Sequence, residues 1–175
     1  MAHFEQQDFC RRVVTQFAEL ITDKSIVLDI GSQDINGNNR YLFGGARYIG
    51  IDLNAGKNVD YVSSGHDFKS QTKFNVVIST ECLEHDKYWT LTVQNVVHNL
   101  LDSGGIFIMT CATTGRAEHG TTRTSPKDSP FTTDYYMNIT EEDFRQAVDV
   151  EKEFSTFVFE TRTNPCDLYF YGIKK

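Results

Sequence analysis

Apolar runs and helical patterns alternate along this chain. Near its start, apolar residues recur at intervals of three and four, which predicts an amphipathic helix packed on a sheet: Cys10, Val13, Val14, Phe17, Leu20 and Ile21. Short apolar runs then predict strands at about 26–30, 47–52, 58–62, 74–79 and 104–111. The pattern is that of an α/β protein.

A second helical pattern lies between the last two of these predicted strands. Its apolar positions are Trp89, Val93, Val96, Val97, Leu100 and Leu101. The run Asp102-Ser103-Gly104 follows, and we expect it to end the helix. Alternation of strands and helices implies a parallel sheet with right-handed crossover connections.

The last third of the chain predicts one more helix and two strands. Thr140 begins the helix, with acidic residues in its first turn and Phe144, Ala147 and Val148 as its apolar positions. Aromatic-rich strands are expected at about 153–160 and 167–174.

Residues 112–139 form a long segment rich in Thr, Ser and Gly that also contains Pro126 and Pro130. Loops of this length in compact domains are usually functional or mobile. This one follows the fifth strand and should leave the carboxyl edge of the sheet, where open α/β sheets bind ligands. We therefore predict that 112–139 is an active-site loop.

Composition and charge narrow the class of protein. With 175 residues, 39% hydrophobic and 23% charged, the chain is expected to form a single globular domain spanning 1–175. Its net charge of −7 argues against a grip on nucleic-acid phosphates and favours a small-molecule or protein substrate.

Cysteine and histidine positions argue for a reduced protein without a metal. The cysteines are too scattered for a metal motif or a disulfide scaffold, and the histidines show no paired ligand spacing. The chain start lacks a secretory pattern, and no apolar stretch is long enough to span a membrane. We expect a cytoplasmic protein, not bound to membranes, that is a monomer or a homodimer.

The ends of the first two strands predict a nucleoside-binding site. Val27 to Gly37 is an apolar run that reaches Asp29 and then a glycine turn, and a second run ends at Asp52. A carboxylate there suits the hydroxyls of a ribose. A dinucleotide site would need glycine where the chain has Gln33 and Asn36, and no phosphate-cradling loop follows. The remaining pattern suits a cationic nucleoside without phosphates, such as S-adenosylmethionine.

Four motifs in order resemble those of the class I S-adenosylmethionine-dependent methyltransferases. They are Val27 to Gly37, Tyr48 to Asp52, Phe74 to His85 and Gly104 to Thr110, within about residues 25–120. The resemblance implies a Rossmann-like, seven-stranded, mostly parallel α/β sheet with helices on both faces and an antiparallel last strand. It also implies methyl transfer.

A nearer resemblance is to small methyltransferase domains that read Gly-Ser-x-Asp-x-Asn-Gly at the first turn and Glu-His-Gly after the fifth strand. Here the second motif is Glu118-His119-Gly120. That likeness implies a small-molecule acceptor, such as a sugar or glycan precursor.

The resemblance also implies roles at the first turn. Asp29 would lie near the cofactor's ammonium, although it is also suited to cap the turn. Gly31 would let the backbone approach the methionine portion, with Ser32, Gln33 and Gly37 completing the turn.

The ribose and adenine contacts are expected further along the chain. Asp52 would accept from the ribose hydroxyls, and Leu53 would lie against adenine. Where many family members have Asp-Ala, this chain has Ser64-Gly65, so the adenine amino group would have a weaker contact or one from His66 or Asp67.

The methyl-transfer site is expected after the fourth and fifth strands. The resemblance places Thr80 and Glu81 beside the transferable methyl, followed by Leu83-Glu84-His85. His85 either anchors the helix start or acts as a base. His119 is the first candidate for a substrate-facing base, since a hydroxyl acceptor gains from one and an amine does not.

The predicted loop contributes three candidate substrate contacts. Arg116 is a candidate for an anion contact, unless the segment around it is simply solvated. Tyr135 and Tyr136 either form an aromatic wall for the substrate or tuck under the loop.

The rival functions are a non-catalytic binding or interaction module on the same fold and a nicotinamide-dependent reductase.

Overall fold

The computed structural model describes residues 3–132 and 134–175. The strands are β1 (Ile26–Ile30), β2 (Arg47–Asp52), β3 (Tyr61–Val62), β4 (Phe74–Thr80), β5 (Leu101–Ala112), β6 (Phe154–Thr161) and β7 (Asp167–Lys174). The helices are α1 (Phe4–Gln16), α2 (Trp89–Asn95), α3 (Glu141–Ala147) and α4 (Val150–Glu153). A π-helical segment, Val96–Leu100, extends α2, and 3₁₀ turns lie at Arg40–Phe43 and Leu83–His85.

The strands form one seven-stranded sheet in the order β3-β2-β1-β4-β5-β7-β6. Neighbours from β3 to β5 are parallel, and β7 is antiparallel to both β5 and β6. This confirms the mostly parallel sheet with an antiparallel last strand. The order reverses between β1 and β4, which leaves a crevice outside their carboxyl ends.

Both faces of the sheet are covered by helices. Alternate residues of each central strand point to opposite faces, so each strand contributes to the core on both sides. On one side, Phe9 and Val13 of α1 pack with Val27 and Ile78. On the other, α2, its π-helical extension and α3 pack against a second set of strand residues that includes Leu28. Helices therefore cover both faces, as expected.

The first helix is shorter than its hydrophobic pattern predicted. It ends at Gln16, and the amides of Leu20 and Ile21 both donate to the Phe17 carbonyl in a turn. The turn keeps Phe17 and Ile21 against the core but leaves Leu20 47% exposed. The predicted continuation to Ile21 was wrong.

The third strand is also shorter than the predicted 58–62. Asn58 adopts a positive φ of 71°, and its side-chain amide donates to the Ser32 carbonyl at 2.9 Å. The Asp60 carboxylate accepts a hydrogen bond from the Gly50 amide at 2.7 Å. These contacts divert the chain, so pairing with β2 begins only at Tyr61.

The prediction that Asp102-Ser103-Gly104 ends the second helix was wrong. The π-helical turn ends at Leu100, and Leu101 is already extended and paired with Phe74. Gly104 has a positive φ of 75°, and the register of β4 and β5 shifts between Phe74 and Val76. The three residues therefore lie in an irregular start of β5.

The long segment after β5 leaves from the carboxyl edge, as predicted, and both of its ends are tied to the sheet. The Thr113 amide donates to Cys166, the Met137 amide to Glu84 and the Ile139 amide to Ala112. The helix expected at Thr140 is present, with a capping box between Thr140 and Asp143.

Candidate active site

A cavity of about 370 Å³ opens at the carboxyl ends of β1, β2 and β4. Thirteen of the predicted site residues line it: Asp29, Gly31, Ser32, Gln33, Gly37, Asp52, Leu53, Ser64, Gly65, His66, Thr80, Glu81 and His85. Asp67, Arg116, His119, Tyr135 and Tyr136 do not. The residues predicted from the glycine turn and the strand ends thus converge on one cavity.

Asp29 and Asp52 stand at the ends of adjacent strands, in the same cavity. Asp29 is only 4% exposed, and burial raises its pKa to about 7, against the lowering effect of the hydroxyl of Tyr48, which donates to it at 2.5 Å. Arg40 lies over the Tyr48 ring, 4.6 Å from its centroid. A ligand cation beside Asp29 would favour the ionised carboxylate.

Asp52 holds the first turn as well as facing the cavity. Its two oxygens accept from the backbone amides of Gln33, at 2.9 Å, and Leu53, at 2.7 Å. Burial raises the pKa of Asp52, opposed by these two bonds. Each carboxylate oxygen has two lone-pair sites, so both retain acceptor capacity for a pair of hydroxyls.

Position 31 requires a glycine because another residue of the chain lies directly against it. It has a φ of +78°, and a β-carbon on it would lie 2.4 Å from Sγ of Cys82. The expected reason for this glycine was space for a ligand; in this structure the clash is with Cys82. The glycine lets the β1 and β4 ends approach each other.

The side chain of Ser32 points into the protein. Its hydroxyl donates to the Asn58 carbonyl at 3.0 Å, while the Gly37 amide donates to Asp34 at 2.8 Å. Ser32 and Gly37 therefore shape the turn. Gln33 contributes its backbone amide to Asp52.

The side of the cavity expected to hold adenine is built from a tight polar turn. The Ser64 hydroxyl donates to Asp67 at 2.9 Å, and the Asp67 carboxylate also lies 3.3 Å from Nε2 of His66. Gly65 is fixed by packing, since a β-carbon there would lie 2.5 Å from Cγ2 of Thr92. The His66 ring packs on Tyr88 at a centroid distance of 4.7 Å.

Several exposed apolar side chains surround the cavity. Among the described residues, the large hydrophobic side chains that both line it and stay at least 44% exposed are Ile35, Leu53, Tyr88 and Phe131. Clustered apolar exposure of this kind marks a ligand-binding surface.

Glu81 lines the cavity and belongs to a buried charged cluster beside it. It has a positive φ of 51° and accepts from the Thr110 hydroxyl at 3.0 Å. Burial acts to raise its pKa, but the contact with His3 and the positive charges of His3 and Arg116 together help to leave the pKa below its usual value. His3 also lies 2.9 Å from Asp167.

Arg116 joins the same cluster. Its guanidinium donates to the fully buried Asp167 at 2.7 Å and lies 4.0 Å from Glu81. The predicted anion contact of Arg116 is thus occupied by a carboxylate of the protein itself.

His85 and His119 form an aromatic cluster with Tyr136. The two imidazoles meet edge to face at a centroid distance of 5.0 Å, and Tyr136 lies 5.5 and 5.1 Å from them. His85 reaches the cavity, while His119 lies behind it. Burial lowers the pKa of His85 to about 3 and also lowers that of His119.

The two tyrosines lie under the loop rather than along the cavity. The Tyr136 hydroxyl donates to the Ala117 carbonyl at 3.2 Å, and the Tyr135 hydroxyl lies 3.3 Å from the sulfur of Met137. Tyr135 packs against the core. Of the two alternatives for this pair, the tucked arrangement is the one that the contacts describe.

Sequence reasoning missed several cavity residues. Asn39 is buried and joins Gln6 to Thr80 through its side chain. Residues 128–132 close one side of the cavity. Asn39 follows the turn by only two residues, and Pro130 marked the loop, but neither position carried a signal of its own.

A sequence model of a methyltransferase-domain family matches residues 1–146. The chain belongs to this methyltransferase-domain family. A search of curated protein sequences finds no match. No helix in the described ranges is long and apolar enough to cross a membrane.

Solved structures share the fold, among them two methyltransferases. The 1,6-didemethyltoxoflavin-N1-methyltransferase of Burkholderia thailandensis, solved with S-adenosylhomocysteine, is 14% identical with a TM-score of 0.67, covering 97% of this chain and 78% of that one. The magnesium protoporphyrin IX methyltransferase of Synechocystis, also with S-adenosylhomocysteine, is 15% identical with a TM-score of 0.65, covering 98% and 83%. The N-terminal domain of EvdMO1, solved with S-adenosylhomocysteine and D-fucose, is 13% identical with a TM-score of 0.64, covering 100% and 85%.

Proposed function

We propose that this methyltransferase-family protein transfers a methyl group from S-adenosylmethionine to a small-molecule acceptor. The observation that carries the proposal is the pair of buried or half-buried carboxylates, Asp29 and Asp52, facing one cavity at the ends of adjacent strands. A cofactor with an ammonium at one end and a ribose in its middle matches two separated carboxylates.

The proposed cofactor position follows from these two anchors. Asp29 holds the ammonium, and Asp52 accepts from the ribose hydroxyls. The adenine then lies by Leu53, along the edge formed by Ser64, Gly65 and His66. Asp67 acts only by orienting Ser64, to whose hydroxyl it is bonded.

The acceptor is proposed to enter on the side of Thr80, Glu81 and His85, opposite the adenine edge. Methyl transfer is an in-line displacement at a carbon already activated by positive sulfur, so the protein mainly contributes orientation and a dry site. Residues 128–132 cover this region and help to exclude water. The proton of a hydroxyl acceptor would leave toward His85, with His119 behind it.

A sugar or glycan precursor is the proposed acceptor class. Polar groups at the cavity end suit hydroxyl recognition, and a structural neighbour is solved with D-fucose. We also propose that the protein is cytoplasmic and is a monomer or a homodimer. The net charge of −7 disfavours nucleic acid as the acceptor.

The first test is calorimetric titration with S-adenosylmethionine, S-adenosylhomocysteine and NAD. We expect both sulfur nucleosides to bind and NAD not to bind. Asp52→Asn keeps an oxygen for the Gln33 amide but loses the charge, and should weaken binding at least tenfold. Asp60→Asn is the matched control, because Asp60 lies at the neighbouring strand, bonds to Gly50 and does not line the cavity.

The titration separates the alternatives. Absence of sulfur-nucleoside binding by the folded protein would contradict the proposal, and NAD binding would favour a reductase. Binding without turnover in a broad screen of sugar acceptors would favour the non-catalytic module.

A further inference from the structure

Three buried side chains beside the cavity have polar atoms without a hydrogen-bond partner. Within the described ranges these atoms are both carboxylate oxygens of Glu84, Nδ1 of His85 and Nε2 of His119. The residues are 0%, 5% and 9% exposed. Buried polar atoms in folded proteins are nearly always paired, because an unpaired one costs about 1–3 kcal/mol.

The three residues lie together in space although they come from two segments of the chain. One ligand atom from each residue lies within 4.8 Å of the others. Gly120 permits this approach, since a β-carbon there would lie 2.7 Å from Cε1 of His85. Four-coordinate Zn²⁺ sites hold their ligand atoms about 3.3 Å apart, so each ligand would need to move by about 1 Å or less.

The hydrogen bonds around His119 prepare its unpaired nitrogen for a ligand. Its Nδ1 lies 3.1 Å from the Ala117 carbonyl, which has no proton to give, so Nδ1 carries the proton and donates it. Nε2 therefore presents a lone pair to the cluster. A backbone carbonyl on the far nitrogen is the usual arrangement behind a metal-binding histidine.

We propose that Glu84, His85 and His119 bind a divalent transition-metal ion, with Zn²⁺ as the first choice. Two imidazoles and one carboxylate form a ligand set that suits Zn²⁺ and neighbouring first-row ions, with at least one coordination position left for water or a substrate oxygen. A cation would also compensate the Glu84 carboxylate, which forms no ion pair with another described residue and is acted on by the negative charge of Glu81. The proposal does not depend on the proposed methyl transfer.

A second cluster in the protein is a poorer candidate. His3, Glu81 and Asp167 also lie within 4.8 Å of one another. Their atoms, however, already pair: His3 with Asp167 at 2.9 Å, Arg116 with Asp167 at 2.7 Å and Thr110 with Glu81 at 3.0 Å. An ion there would have to displace the guanidinium of Arg116 from Asp167 and break the ion pair between His3 and Asp167.

The bound ion would have two consequences for the molecule. It would join the 3₁₀ turn at Leu83–His85 to residue 119 of the long loop, and so fix the loop beside the cavity. It would also make both imidazoles ligands, so that an oxygen held by the metal, rather than a free histidine, would be the group nearest an incoming hydroxyl.

The experiment is metal titration of the full chain after treatment with a chelator. We expect one equivalent of Zn²⁺ or Co²⁺ to bind with a dissociation constant below about 1 µM. Glu84→Gln and His119→Ala should weaken binding at least 100-fold. His3→Ala and His98→Ala are the controls and should bind as the unchanged protein does, since His98 is surface-exposed and His3 belongs to the other cluster.

A measurement on the unchanged protein covers the case in which a variant does not fold. In ¹⁵N-imidazole NMR spectra, Zn²⁺ should shift Nδ1 of His85 and Nε2 of His119 and leave the other histidines in place. Absence of stoichiometric binding would overturn the proposal. Binding that shifts His3 or His98 instead would overturn it equally.

Discussion

At the scale of single residues, Asp29 is the most informative side chain of the cavity. It is 4% exposed and its only side-chain hydrogen bond among the described residues comes from the neutral hydroxyl of Tyr48, while the negative charge of Asp52 acts against its ionisation. Arg40 contributes positive charge from the far side of Tyr48. The carboxylate is therefore poorly compensated until a cation arrives.

Cofactor affinity should consequently rise with pH. Burial raises the pKa of Asp29 to about 7, so the free protein holds it mainly protonated below that pH and mainly ionised above. Since only the ionised form attracts an ammonium, S-adenosylhomocysteine should bind about tenfold more tightly at pH 8 than at pH 6. Calorimetry at both pH values measures this. Asp29→Asn should bind weakly with little pH dependence, and an unchanged slope in that variant would contradict the assignment.

Gly31→Ala should destabilise the protein by about 2 kcal/mol or more. The residue would need a φ of +78°, which costs about 1–2 kcal/mol, and its methyl would overlap Cys82. Urea denaturation measures the loss. Gly44→Ala is the control, because Gly44 has a φ of −55° and nothing within 4 Å of the new methyl, so its stability should change by less than about 0.5 kcal/mol. Equal effects of the two variants would show that contact with Cys82 is unimportant.

At the scale of elements, the link between the long loop and β7 depends on Arg116 and Asp167. Asp167 is fully buried at the first position of β7, and Arg116 reaches it from the loop at 2.7 Å. A buried carboxylate that loses its partner is costly. The pair therefore explains why a loop of this length stays against the sheet edge.

Arg116→Gln should lower stability by about 2 kcal/mol, which is below the range for fully buried pairs because the Arg116 side chain is 22% exposed. Thermal unfolding tests this, with Arg123→Gln as the control. Arg123 lies on the same loop but is 54% exposed and pairs with Glu118, so its replacement should leave the unfolding temperature nearly unchanged. A variant of Arg116 that keeps full stability but has a raised KM for its acceptor would instead support the predicted substrate contact.

The elements also mark the limit of prediction from sequence. The strands, the turn around Gly31 and the carboxylate at Asp52 follow from short apolar runs and from strand-end chemistry. The end of α1 at Gln16 and the early start of β5 at Leu101 depend on tertiary contacts that override a continuing hydrophobic period. Pairs such as Arg116 with Asp167 join distant residues, and no local pattern encodes them.

At the scale of the whole molecule, one imidazole joins the start of the chain to the opposite end of the sequence. His3 caps α1 and contacts Asp167 at 2.9 Å and Glu81 at 3.7 Å. Burial acts to lower the pKa of His3, but the interactions of the imidazole with the carboxylates of Asp167 and Glu81 outweigh this and raise the pKa to about 9. Within the described ranges, Glu5 also lies 3.2 Å from Nδ1 of His3, and Arg116 lies 4.0 Å from Glu81.

The stability of the protein should therefore fall as the solution becomes alkaline. Because the folded pKa lies above the ordinary value of 6.5, the stabilisation is complete below about pH 6.5 and is lost as pH rises through about 9. The free energy of unfolding, measured in urea at pH 6, 7.5 and 9, should decrease over that window. His3→Ala should be less stable at pH 6 and should lack most of the decrease, whereas His98→Ala should retain it. A decrease of the same size in His3→Ala would point to another group.

The apolar rim formed by Ile35, Leu53, Tyr88 and Phe131 has a consequence for life in a cell. Without a bound ligand, this apolar rim is exposed to solvent and to other proteins. Such exposure favours self-association and recognition by chaperones and proteases. A nucleoside covering the rim would protect the chain, and a ligand at 100 times its dissociation constant adds about 2.7 kcal/mol to stability. The steady-state amount of this protein would then track the supply of its cofactor.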